Sequence, residues 1–111
     1  MLLAKTLSRR VFSSKELHAA SAMPAAARLR FLSGLFAVKE AVSKAIGTGL
    51  EQGFNMAEVE CLTGNCGEIS VRLTGETGWL ASSKDIDSVM ASVSHVRSFA
   101  VAIAAARLRE G

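Results

Sequence analysis

One long helix constrains this chain more than any other feature. Phe31, Leu35, Val38, Val42, Ala45 and Ile46 recur at a 3.6-residue period and so share one face of a single amphipathic helix. Pro24 and the alanines at 25–27 start it, and Gly47 stands where a C-cap belongs. A helix with one apolar face needs a second layer to cover it, and beyond Gly53 the period changes to two. Ala57, Val59 and Cys61 alternate with Glu58 and Glu60, and Ile69, Val71 and Leu73 alternate with Ser70, Arg72 and Thr74. With the turn-rich loop at 63–67 between them, these runs predict a β-hairpin whose Glu58, Glu60 and Arg72 share a solvent-side face. Residues 75–78 read as a turn, and a short helix is expected around Ser83–Met90. Phe99, Val101 and Ile103 alternate with alanines, a strand whose small side suits close packing under a helix. Near the N-terminus, Ser14 is expected to cap a helix starting at Lys15. The order of elements predicts an α+β domain, an antiparallel sheet packed on the long helix.

Composition narrows the function classes. A chain of 111 residues, half of them hydrophobic, holds one packed domain and not two. The net charge of +3 suits an anionic ligand or an acidic partner. No run of five like charges occurs and tyrosine is absent, which argues against a nucleic-acid-binding protein. No apolar run reaches the roughly 18–20 residues needed to span a bilayer, so no membrane is expected. Cys61 and Cys66 lack the second Cys/His pair of a zinc site. They read as one buried strand cysteine and one loop cysteine, with a disulfide the minor alternative. The first 14 residues carry Lys5, Arg9 and Arg10 and no acid, a weakly transit-peptide-like composition.

The long helix also has a second face. Glu40 lies opposite the middle of the apolar stripe, Lys44 stands one turn on, and Leu29 and Phe36 flank them. Apolar residues on that side place Glu40 at the rim of a contact, with another part of the fold or with another subunit. Taken alone, Glu40 and Lys44 are an ordinary i,i+4 pair worth about 0.3–0.5 kcal/mol. By the same reasoning, His95 would be a structural histidine and Trp79 core or interface packing.

The full run from Phe36 to Gly49, Phe-Ala-Val-Lys-Glu-Ala-Val-Ser-Lys-Ala-Ile-Gly-Thr-Gly, resembles the signature helix of phosphopantetheinyl transferases, F-A-x-K-E-A-x-x-K-A-hydrophobic-G-x-G. Ser92-Val93-Ser94-His95 resembles the family's S-hydrophobic-S-H segment, again followed by an alternating strand. A weaker likeness lies in Gly67–Leu73, which lacks the family's proline. Arg10–Ser13 with Glu16-Leu17 resembles the segment leading into the first helices, which favours this reading of the N-terminus over a targeting peptide. The likeness is to the small holo-acyl-carrier-protein synthases and covers roughly residues 9 to 108.

That resemblance implies a cytoplasmic transferase of fatty acid biosynthesis. It would move 4'-phosphopantetheine from coenzyme A to a serine of apo acyl carrier protein, with magnesium, releasing adenosine 3',5'-bisphosphate. Charge grows on diphosphate oxygens in such a reaction, so positioning and neutralisation carry the catalysis. By resemblance, Glu40 is a magnesium ligand, and Lys44 meets the phosphates or helps the serine proton leave. Lys39 reaches phosphate or solvent, while Ser92, Ser94 and His95 form a wall of the coenzyme A pocket. Members of this size assemble as homotrimers with active sites between subunits, and their carriers are acidic partners suited to Arg28, Arg30, Lys39 and Lys44 along one helix.

One family element is missing. The usual opening strand bears a G-x-D motif whose aspartate is a second magnesium ligand, and the first acid here is Glu16. Residues 1–111 therefore read as a single transferase-like domain, N-terminally truncated relative to the family. Three explanations stay open: a native protein with an earlier start, a weak or inactive homologue that binds coenzyme A or carrier, or a substitute carboxylate such as Glu51 or Glu58.

Overall fold

The apolar stripe becomes one 22-residue helix, and the rest of the chain is arranged to cover it. The computed structural model describes residues 9–47, 53–64 and 68–110. Helix α1 (Ser14–Ser21) leads into α2 (Ala25–Ile46). A 3-10 turn (Met56–Glu58) opens β1 (Val59–Thr63), which pairs with β2 (Ile69–Leu73); α3 (Gly75–Ser83), β3 (Ile86–Val96) and β4 (Phe99–Leu108) follow. The sheet is antiparallel in the order β1-β2-β3-β4. Leu35, Val38, Val42 and Ile46 of α2 pack against Val59, Cys61, Ile69, Ile86 and Val89 of the sheet and Ala81 of α3. Gly47 ends α2 in the left-handed conformation at φ 85°, where a Cβ would be strained, and its N–H caps the carbonyls of Ser43 and Lys44.

The α+β class and the antiparallel sheet on the long helix are as expected. Ala102, Ala104 and Ala106 face inward and let α2 lie close on β4, while Val101 and Ile103 point outward and stay exposed.

Several local expectations shift. The cap of α1 is Ser13, not Ser14: its hydroxyl accepts from Glu16 N and Glu16 Oε1 accepts from Ser13 N, a capping box. Residues 75–78 are the first turn of α3, and Ser83–Met90 is not a helix. Asp85, at φ 60°, ends the helical geometry, and from Ile86 the alternation of a strand takes over. Trp79 is not core: α3 buries Thr77 and Ala81 and leaves Trp79 72% exposed. Glu60 does sit opposite Arg72, with Oε1 3.0 Å from its Nη2, yet its own side chain is largely covered. That oxygen has no well-aligned hydrogen bond, so the contact is an ion pair only. Glu58 leaves that face, because its carboxylate accepts from the N–H (3.1 Å) and hydroxyl (2.9 Å) of Thr77.

The largest departure is Lys39. Its ammonium is fully buried and its three donors are all used, on Glu16 Oε1 at 2.8 Å, Met56 O at 2.9 Å and Val59 O. Glu16 Oε2 in turn accepts from Cys61 N at 2.9 Å. The ring centroid of Phe12 lies 5.8 Å from the ammonium, within cation–π range. The apolar stripe is wider than its hydrophobic residues suggest, because α1 and β1 cover the flank that carries Lys39 and Ser43.

Cys61 is a free thiol in the core, and burial pushes it from an ordinary 9.0 up to about 12. Cys66 lies outside the described residues.

Two outcomes follow. Lys39→Met leaves Glu16 as a buried charge with no counter-charge, so urea unfolding should show a loss of about 3–5 kcal/mol. For Cys61, the folded chain holds the proton to higher pH than the unfolded chain. The thiol's contribution is therefore intact below pH 9 and lost as pH rises toward about 12. The difference in urea midpoint between wild type and Cys61→Ala should shrink across that window; a constant difference would contradict it.

Candidate active site

The flank of α2 that turns away from the sheet core meets the tip of the β3–β4 hairpin. Between them runs a groove of about 770 Å³ whose lining includes Phe12, Phe36, Phe99, Ser33, Ala100 and Glu40. A second groove of about 500 Å³ continues it past Arg30, His95 and Arg97, and the two share Ser33, Ser98, Phe99 and Ala100. Arg30 and Glu40 are ten residues apart on one helix, so the channel separates its carboxylate from its basic end by about 15 Å. Leu29 and Phe36 line the two grooves but stay 70% and 39% exposed, so the second apolar face of the helix is at most partly covered within one chain.

Glu40 is half-buried, and among the described residues no side chain pairs with its carboxylate. The ordinary i,i+4 pair with Lys44 is not formed. Lys44 is exposed one turn along α2 and lines neither groove. A half-buried carboxylate without a partner is a poor structural feature and a good ligand for a cation.

The predicted pocket wall is divided by the two-residue period of β3. His95 turns inward to α2 with Val93, while Ser92 and Ser94 face out of the sheet, opposite Ile103 and Val101. Within one chain, then, His95 shares the channel with Glu40 and the two serines do not. Lys39 is corrected outright: buried among carbonyls and Glu16, its ammonium reaches neither phosphate nor solvent. Sequence reasoning missed Arg97, Ser33 and Phe12. Arg97 could have been found as the tip of a two-residue turn between alternating strands; Ser33 and Phe12 carry no such signal.

The donor set limits which metal fits. Among the described residues, no group of three or more His, Cys, Asp and Glu side chains converges on a cation position. Of the substitutes considered, Glu51 lies outside the described residues and Glu58 is committed to Thr77. One carboxylate fits magnesium, which takes one or two carboxylates and fills its octahedron with phosphate and water. It does not fit zinc or a protein-caged calcium.

The architecture matches a known class. A holo-[acyl-carrier-protein] synthase of Helicobacter pylori, solved in complex with coenzyme A, superposes at a TM-score of 0.73 with 25% identity, covering 93% of this chain and 82% of that one. A Chronobacterium ammoniagenes ACPS–CoA complex superposes at 0.75 with 28% identity, covering 92% and 81%. A family model described as the 4'-phosphopantetheinyl transferase superfamily matches residues 2–104. The holo-[acyl-carrier-protein] synthase of Desulfovibrio desulfuricans is 36% identical over 99 residues, 89% of this chain and 77% of that protein. The chain belongs to the 4'-phosphopantetheinyl transferase superfamily, in its holo-acyl-carrier-protein synthase branch.

If Glu40 is held for function rather than stability, Glu40→Gln should leave the unfolding free energy within about 0.5 kcal/mol of wild type, or raise it. A loss above about 2 kcal/mol in urea unfolding would mean that the carboxylate is part of the scaffold.

Proposed function

We propose that this chain transfers 4'-phosphopantetheine from coenzyme A to a serine of apo acyl carrier protein and releases adenosine 3',5'-bisphosphate. The observation that carries this reading is the carboxylate of Glu40, unpaired among the described residues, at one end of a channel whose other end holds Arg30, His95 and Arg97. A substrate with a diphosphate in its middle and a further phosphate on its nucleotide needs a cation site and a basic end in one groove.

In the step itself, the serine oxygen forms a bond to the β-phosphorus and the bond from that phosphorus to the bridging oxygen breaks. The leaving group departs with its electron pair, and the serine proton passes to solvent or a phosphate oxygen. Magnesium held by Glu40, with substrate oxygens and water, would neutralise charge on the diphosphate. Lys44 lies one turn along and is free to swing toward the phosphates from the channel mouth. His95, Arg30 and Arg97 would orient the nucleotide, and the apolar walls of Phe12, Phe36 and Phe99 would limit water at the reacting end.

We further propose a homotrimer with active sites between subunits. Met90, Val96, Val101 and Ile103 stand exposed on the outer face of β3 and β4, and clustered exposed apolar residues mark an interaction surface. A second copy on that face would bring Ser92 and Ser94 into a shared site. No helix among the described residues is long and apolar enough to cross a membrane. A cytoplasmic role in fatty acid biosynthesis, with an acidic carrier drawn to the basic chain, fits the charge balance.

The single carboxylate in the channel among the described residues favours one alternative, a homologue that binds coenzyme A or carrier with little turnover. The chain, apo acyl carrier protein, coenzyme A and magnesium should yield a carrier heavier by one phosphopantetheine in mass spectrometry. Glu40→Ala should lower the rate at least about 100-fold. Coenzyme A binding without mass gain, from a folded wild-type chain, selects the binding-only homologue.

A further inference from the structure

Gly34 is a buried glycine in the interior of α2, where alanine would normally be the better residue. Its surroundings supply the reason. A Cβ at Gly34 would stand 3.1 Å from Nε2 and 3.2 Å from Cε1 of His95, and 3.6 Å from Cγ2 of Val93. On β4, the residue opposite His95 is Ala100, also small. The imidazole thus lies in a slot between a bare stretch of helix and an alanine. Among the described residues, nothing hydrogen-bonds to the ring. Packing alone sets its depth in the channel, with the Nε2–Cε1 edge of the ring turned to the helix at Gly34.

We propose that Gly34 is a positioning residue: by having no side chain, it seats the His95 ring at the depth from which it meets the nucleotide end of coenzyme A. This rests on the reading of His95 as part of the coenzyme A site. A methyl at position 34 forces the ring outward by a few tenths of an ångström, because the other side of the contact is helix backbone.

The test is a cycle of Gly34→Ala, His95→Ala and the double variant, with KM for coenzyme A and kcat measured by carrier transfer, and thermal midpoints alongside. Gly34→Ala should raise KM about 3- to 10-fold with kcat within about twofold. In the His95→Ala background the same change should do nothing to KM, and the thermal midpoint should rise, since the ring that crowds the methyl is gone. An unchanged KM in Gly34→Ala, or an equal rise in both backgrounds, overturns the proposal. If Gly34→Ala alone fails to fold, the double variant should fold; a double variant that stays unfolded also overturns it. A wild-type chain with no affinity for coenzyme A in calorimetry would instead sink the transferase reading, while the thermal cycle still judges the packing between Gly34 and His95.

Discussion

The ion pair between Glu16 and Lys39 is the contact on which the rest of the arrangement hangs. Two charges removed from water are costly, and here the cost is offset because every donor and most acceptor sites are used. The pair joins four parts of the chain at one point: the capping box that starts α1, the middle of α2, the 3-10 turn at Met56 and the strand β1. Removing either partner alone would leave the other charge stranded, so the junction is all-or-none. A single point that binds α1, α2 and the sheet also fixes the rotation of α2 about its own axis.

That rotation has a functional consequence. Lys39 and Glu40 are neighbours, about 100° apart around the helix. Pinning Lys39 into the core sends Glu40 to the channel side, half-buried and, among the described residues, unpaired. The two residues divide the work between them: one charge holds the scaffold, and the adjacent one is left free for a cation. Small residues complete the division. The alanines of β4 bring α2 close to the sheet, and Gly34 makes room for His95. The bulky neighbours of those alanines on β4, Val101 and Ile103, consequently face outward.

Much of the fold was legible from periodicity. The span of α2, its glycine stop and the strands β2 and β4 follow from spacing alone, because each buries one regular face, whereas the alternation read from Ala57 becomes strand only at Val59, after a 3-10 turn. The stretch 75–96 was not legible. Residues 86–96 carry serines and an aspartate at outward positions, and α3 is too short for its pattern to stand out. At the site, Glu40 and His95 were found through motif resemblance, and both lie in the channel. Lys39 was misread because a lysine on a helix flank normally snorkels to solvent. Its partner Glu16 is 23 residues away in sequence, a distance over which periodicity says nothing. Ser13 and Glu16 stand three apart in the capping-box spacing, and that pattern was the available sign that Glu16 faces the protein. Ser92 and Ser94 were grouped with His95 by the same motif resemblance, which takes no account of a strand putting odd and even positions on opposite faces.

The central claim is that Lys39 holds the scaffold while Glu40 does chemistry. The most direct measurement replaces the whole pair, Glu16→Met with Lys39→Met, and compares folding and carrier modification with wild type. Buried ion pairs exchanged as a unit for apolar residues are often tolerated. The account predicts a folded double variant whose transfer rate stays within about tenfold of wild type. A variant that folds and binds coenzyme A yet transfers nothing would contradict it, because Lys39 would then take part in the reaction itself.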